Sequence, residues 1–212
     1  MKKIFSLFAA VLFAGSMMAA DITITAENVK SSYSAEATFT IDEVEFWYSG
    51  VMYNGKNSPT GFASKQLLQF RKSSSGAGEI KNNTELNLKT ITVATQNDKA
   101  FTLSAGEKAD ELSAIDLPEG KSGTYACLDN DNKDKEAAVT LYTFDVAGKK
   151  YFDLLNGANA SYIAYIKIEL NEGGTTAIDN AAVEAEAVKV FENGQLVIIK
   201  NGVRYNALGV QF

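Results

Sequence analysis

The stretch EATFTIDEVEFWY, residues 36–48, decides the fold class. Successive side chains of an extended chain point to opposite sides, so from Glu36 to Ile41 the apolar Ala37, Phe39 and Ile41 share one face and Glu36, Thr38 and Thr40 the other. From Glu43 to Tyr48 the same period turns Val44, Phe46 and Tyr48 inward and Glu43, Glu45 and Trp47 outward. Each stretch reads as a strand with one buried and one wet side. Further strands are expected at Ile22 to Thr25, Gln66 to Arg71, Leu88 to Thr95, Ala100 to Ser104, Val139 to Val146, Lys150 to Leu155 and Tyr162 to Leu170. Short strands separated by turn residues imply an all-β chain, an antiparallel sandwich or jelly roll, and not a βαβ fold.

The connections carry their own signals. Val51 to Ser64 and Lys72 to Asn83 are rich in Gly, Ser and Asn and are expected to be long exposed loops. Gly106 to Lys135 is a third polar segment, ending in the acidic run DNDNKDKE, Asp129 to Glu136. After Leu170 the texture changes. Residues 171–187 are Gly-rich, then Ala- and acid-rich with little to bury, and read as a linker between a domain at 21–170 and a tail at 188–212. In the tail, Val188 to Phe191, Gln195 to Lys200 and Val203 to Gly209 are expected strands joined by Asn193-Gly194 and Asn201-Gly202, the dipeptide that supplies the positive φ values of two-residue hairpins. A three-stranded meander of that size cannot build its own core, so it is expected to dock on a partner surface.

Residues 1–20 read as a secretory signal peptide: Lys2 and Lys3, an apolar run from Ile4 to Met18 too short to span a bilayer, then Ala19-Ala20. Without those two lysines, 18 basic residues stand against 26 acidic ones, a net charge of −8. An acidic chain with no basic stripe is a poor match for a phosphate backbone, so nucleic acid is not an expected partner. No later segment reads as a membrane span. The single cysteine, Cys127, forms no internal disulfide and sits at no lipidation position, and it reads as a small buried residue.

The tail AVKVFENGQLVIIKNGVRYNALGVQF resembles the C-terminal sorting domains of proteins that Bacteroidota export by the type IX (Por) route. The likeness rests on NGQLVI, on the second turn KNG, and on YNALG before the terminal hydrophobic residues, over about 26 residues. In such proteins the tail is recognised at the outer membrane and is removed or joined to a surface anchor. The resemblance therefore implies secretion machinery as a partner and a secreted or outer-surface location in a Gram-negative cell, or the periplasm if the tail is not a sorting signal. The stretches GEIKNNTELNLKTITV (78–93) and YTFDVAGKKYFDLLNGANASYIAYIKIEL (142–170) resemble β-jelly-roll modules of exported proteins in the same bacteria. That likeness implies a galactose-binding-like sandwich.

The chemistry is bounded by an absence: the chain has no histidine, which removes Ser-His-Asp and Cys-His nucleophiles and His-rich zinc sites. No catalytic residue, metal ligand or cofactor is assigned. The run Asp129 to Glu136 departs from a calcium loop, with Lys133 at a ligand position and Asp134 in place of the required Gly, and reads as a solvated acidic loop. Gly76-Ala77-Gly78 lacks the third Gly or the Lys-Ser/Thr of a phosphate loop and reads as a turn. Trp47 is the sharper clue, since an exposed indole among carboxylates and amides suits the apolar face and the hydroxyls of a sugar. The candidate site is Trp47 and Glu45, with Tyr53 and Asn57 from the following loop, and Gln69 and Arg71, which point away from Leu68 and Phe70. Against it stands a Trp47 that covers a hydrophobic seam or lies under the docked tail. The expected function is a non-enzymatic glycan-binding module with an export or anchoring tail. The alternatives are a structural or adhesive envelope protein and a carboxylate-based glycan hydrolase.

Overall fold

The computed structural model describes residues 21–33, 36–56, 61–96, 101–171, 188–192, 195–200 and 203–206. The expected signal peptide, Asn57, residues 172–187 of the expected linker and both Asn-Gly pairs of the tail lie outside these residues. The chain divides into two compact units, Met1–Thr175 and Thr176–Phe212.

The first unit holds β1 (Ile22–Ile24), β2 (Ala37–Ile41), β3 (Val44–Ser49), β4 (Val51–Tyr53), β5 (Leu68–Phe70), β6 (Glu79–Asn82), β7 (Leu88–Thr95), β8 (Phe101–Gly106), β9 (Ser113–Ala114), β10 (Lys121–Leu128), β11 (Asp134–Asp145), β12 (Tyr151–Asn156) and β13 (Ser161–Leu170). All pairings are antiparallel. Sheet 1 runs β10-β11-β7-β13-β5-β4, with β1 also on β13, and sheet 2 runs β2-β3-β6-β12-β8-β9. The long β13 is flanked by β7 on one side; on the other, β5 pairs with Ser161–Ile163 and β1 with Ile166–Ile168. The second unit is a meander of β14 (Val188–Glu192), β15 (Gln195–Lys200) and β16 (Val203–Asn206). Its registers, Glu192 opposite Gln195 and Lys200 opposite Val203, leave two residues for each connection. The expected third strand was longer, to Gly209, and residues 207–212 are not described.

The core between the sheets is built from the apolar halves of the alternating strands. Ile91 and Val93 of β7, Phe144 of β11 and Ile163, Ile166 and Ile168 of β13 face Phe46 and Tyr48 of β3, Ile80 of β6 and Phe152 and Leu154 of β12. Phe46 lies 5.3 Å from Phe39 and 6.4 Å from Phe152 between ring centroids, and Phe101 of sheet 2 meets Tyr142 of sheet 1 edge-on at 5.7 Å. Each such side chain contributes about 1.5–3 kcal/mol by burial, which is what a domain whose one cysteine is free must rely on.

Three expected loops are more ordered than their composition suggests. Val51 to Ser64 contains β4 and then Asn54, which is 0% exposed. Its Nδ2 donates to the carbonyls of Gly55 and Ala63 at 3.1 and 2.8 Å, and its Oδ1 accepts from the backbone of Gln66 and Leu67 at 2.8 and 2.6 Å. One amide thus satisfies the backbone of a connection whose Gly, Ser and Asn content reads as open coil. Lys72 to Asn83 contains a 3-10 turn over Ser73–Ser75, the expected turn at Gly76 (φ +85°) and β6, an interior strand of sheet 2. The turn approaches Gly50, where a Cβ would lie 2.7 Å from the Ala77 carbonyl oxygen. Gly106 to Lys135 holds β9 and the eight-residue β10, and β11 starts at Asp134, not Val139.

A second apolar cluster explains why β11 begins at Asp134, ahead of the expected Val139. Phe62 and Leu67 pack on the outward side of sheet 1 against Ala94, Cys127, Ala137, Val139 and Ala164. In its first half β11 therefore buries Ala137 and Val139 on the outer side, and in its second half Tyr142 and Phe144 on the inner side. The small alanines and the flanking charges of DKEAA hide that strand from a period-2 reading. Glu43 is also moved: with Ile41 opposite Val44, Asp42 and Glu43 form a two-residue turn with φ of +48° and +68°, so Glu43 is not part of the strand.

Candidate functional site

The outward side of sheet 2 carries a row of side chains that crosses all six strands. Thr38 stands opposite Trp47, Trp47 opposite Lys81, Lys81 opposite Asp153, Asp153 opposite Ser104 and Ser104 opposite Ala114. The row exists because β3, β6 and β12 each turn alternate residues to the core: Phe46 and Tyr48, Ile80, and Phe152 and Leu154. Their neighbours must face outward. Glu79 lies beside the row, opposite Ser49 and Leu155, and Leu155 is 40% exposed, one of few large apolar side chains so open among the described residues.

Trp47 is half-buried on this face. The Lys81 ammonium sits 4.2 Å from the centre of the indole and 3.2 Å from Glu79 Oε1. Across the strand pair from Lys81, Asp153 has one carboxylate oxygen, Oδ1, buried with no hydrogen-bond partner among the described residues. Burial pushes the Asp153 carboxyl up to about 6, the Glu79 charge pushes the same way, and Lys81 opposes both. The face therefore combines an aromatic plane, a movable cation, two nearby carboxylates and the hydroxyls of Ser104 and Thr38. Such a set has the chemistry for stacking and hydrogen bonding.

The six residues selected from the sequence fall on two sides of the sandwich. Trp47 and Glu45 share the outward side of sheet 2, where Glu45 Oε1 accepts from Asn83 Nδ2 at 2.7 Å. Tyr53 ends β4 in sheet 1 and packs against the core, with the Lys65 ammonium 5.4 Å from its ring. Gln69 and Arg71 face out from sheet 1, where Gln69 stands between Met52 and Tyr162. Asn57 lies outside the described residues. Lys81, Glu79, Asp153 and Leu155 were not selected, although Asp153 and Leu155 alternate with Phe152 and Leu154 in a stretch that reads as a strand. Their period was legible, but their neighbours were not, because nothing in one sequence pairs β12 with β6.

Two other features lie at the β10–β11 hairpin. Asp129 folds the tip of the β10–β11 hairpin on itself, its Oδ1 accepting from the backbone N–H of Asp131 at 2.8 Å and of Lys133 at 3.0 Å. An open cleft of about 650 Å³ next to it is lined by Gln66, Cys127, Leu128 and Lys135. Its walls are structural. Gln66 Oε1 accepts from the Leu128 N–H, and Cys127 is buried, which pushes its thiol up and away from reactivity. No helix among the described residues is long and apolar enough to cross a membrane. No protein-family model, no curated protein and no solved structure matches the chain.

Proposed function

We propose that this protein is an exported, non-enzymatic binding module and that the outward side of sheet 2 takes a glycan. The observation that carries the reading is the row Trp47–Lys81–Asp153, with Glu79 beside it, on an open sheet face. A pyranose presents a flat C–H face and a ring of hydroxyls. The indole supplies the apolar plane, and Glu79, Asp153 and Ser104 supply acceptors at the spacing of neighbouring strands, about 4.8 Å. Lys81 covers the indole in the free protein and is only tethered by an exposed ion pair, which contributes little. A sugar displaces the lysine stem from the ring and leaves the ammonium as a donor to its hydroxyls. Two or three carboxylates against one ammonium on this face favour neutral sugars.

Glycan-array binding of the purified protein, beside a Trp47→Ala variant, tests the reading. Binding is expected to fall at least about tenfold in the variant, the loss of one stacked ring, with the circular dichroism unchanged. Equal binding by the two proteins removes Trp47 from the site, and a blank array removes the glycan.

The resemblance of residues 188–212 to type IX sorting tails supports export across the outer membrane, and the meander of β14 to β16 is compatible with that role. Deletion of residues 188–212 is expected to retain the protein in the periplasm. Normal secretion of the truncated chain would leave the tail a structural part of the mature protein. Membership of the jelly-roll class belongs with the same reading.

A further inference from the structure

Between Glu45 and Glu79 the chain runs 33 residues with four basic side chains, Lys56, Lys65, Arg71 and Lys72, and no acidic one, in a protein of net charge −6. All four lie beyond β3, in the part of the segment that carries β4 and β5 at one end of sheet 1, whereas Trp47 stands on sheet 2. Here the preceding segment crosses the sheet edge, its Lys30 carbonyl accepting from the Tyr53 N–H at 3.0 Å, and lays Tyr33 over the outward side of β5. The Arg71 guanidinium lies 4.8 Å from the centre of the Tyr33 ring. The Gln69 side chain lies beside the Tyr33 hydroxyl, and Tyr162 stands opposite Gln69 on β13. Arg71 makes no ion pair among the described residues.

A guanidinium with one flat face against a ring keeps its N–H edge for a ligand. That edge matches a carboxylate in a bidentate fork, and the stacking holds the fork in place before the ligand arrives. The acid-free run from Phe46 to Gly78 matters as much as the arginine, because an anion meets net repulsion from an acidic protein and the least of it within about a Debye length, roughly 8 Å, of such a patch. The flanking groups select what carries the carboxylate. Tyr33 and Tyr162 offer aromatic edges, and Gln69 offers both a donor and an acceptor, which suits a pyranose ring better than the short stem of an acidic amino acid.

We propose that Arg71, stacked on Tyr33 beside Gln69, is a second binding site, specific for the carboxylate of an acidic sugar such as a uronate. It is independent of the Trp47 face and stands if that face binds nothing.

Affinity electrophoresis of the full-length protein through polygalacturonate, fully methyl-esterified polygalacturonate and polyglutamate tests the proposal. Retardation is expected in polygalacturonate alone, weakening steeply with salt. It should drop about tenfold or more in Arg71→Gln, which removes a charge-assisted fork, and stay unchanged in Trp47→Ala. Arg71→Lys keeps the charge and loses the fork, so it should retain weak, salt-sensitive binding several-fold below the parent. It decides the matter if the glutamine variant fails to fold. Equal retardation by the methyl ester, or no effect of either Arg71 variant, overturns the site. Equal retardation by polyglutamate overturns the sugar and assigns the site to acidic peptides.

Discussion

The outward sides of the two sheets start from the same alternation and end differently. On sheet 2 the row Thr38–Trp47–Lys81–Asp153–Ser104 stays exposed or half-buried. On sheet 1 part of the outward side is roofed by Phe62 and Leu67 and becomes a second core with Ala94, Cys127, Ala137, Val139 and Ala164. The difference lies in what holds the cover. The roof is a connection, and a connection stays on a sheet only if its backbone groups are satisfied there. Asn54 meets that need, donating two hydrogen bonds, to Gly55 and Ala63, and accepting two, from Gln66 and Leu67, and Lys135 donates from its ammonium to the Gly61 carbonyl at 3.1 Å. The row on sheet 2 has no such anchored connection over it among the described residues.

Removing the anchor should break the comparison most strongly. Asn54→Ala leaves the N–H groups of Gln66 and Leu67 and the carbonyl of Ala63 without their partner in a buried site. At about 1–3 kcal/mol for each group that water cannot reach, a loss of about 3–5 kcal/mol in chemical denaturation is expected, as large as truncating a core phenylalanine. The roof should loosen as well, so the variant should bind a hydrophobic dye under native conditions while the emission of Trp47, on the other side, stays as in the parent. A loss under about 1 kcal/mol with no dye binding would mean that apolar contact of Phe62 and Leu67 alone holds the roof.

How far the sequence reveals this depends on whether a feature is periodic or paired. Nine sandwich strands are legible because alternation is a local property, and Leu88 to Thr95 matches β7 to the residue. β10 and the start of β11 escape a period-2 reading because their covered positions carry the half-buried Gly123 and the buried Ala137 and Cys127, which hydropathy scarcely registers. At Gly123 the reason is steric: a Cβ would meet the Leu141 side chain at 2.9 Å. β4 and β6 are missed because short strands between Gly and Ser look like coil. In the site, the outward orientation of Trp47, Gln69 and Arg71 is legible, yet their assignment to one surface is not. Which sheet a strand joins is fixed by distant pairing, and β3 joins sheet 2 while β5 joins sheet 1.

A smaller effect sharpens the open side. The Asp153 carboxyl is raised to about 6, chiefly by burial and then by Glu79. An acid whose folded value lies above its unfolded one holds its proton more tightly when folded. Its contribution to stability is therefore full below the unfolded value, near 3.8, and is lost as pH rises through about 6. Asp153 is partly open to solvent, so the full shift overstates the energy, and screening brings it to about 1 kcal/mol. Asp153→Asn should match the parent near pH 4 and exceed it by about 1 kcal/mol at pH 7.5, flattening stability between the two. Parallel pH profiles for parent and variant would mean that the carboxylate is as well solvated in the folded chain as in the unfolded one.

The smallest effect concerns Lys81, and the chain's one tryptophan makes it measurable. A cation over an indole at a partly exposed site contributes about 0.5–1 kcal/mol, and the ion pair with Glu79 adds less. Lys81→Ala should therefore cost under about 1.5 kcal/mol, while uncovering the ring to water and shifting Trp47 emission to the red. If the lysine is the cover that a sugar displaces, its loss removes a competitor for the indole plane but also a donor to the hydroxyls. Glycan affinity should then change by no more than a few-fold, against the tenfold fall expected for Trp47→Ala. A Lys81→Ala loss as large as that of Trp47→Ala would move the centre of the site from the indole to the ammonium, and the open side of sheet 2 would then resemble the Arg71 side in choosing its ligand by charge.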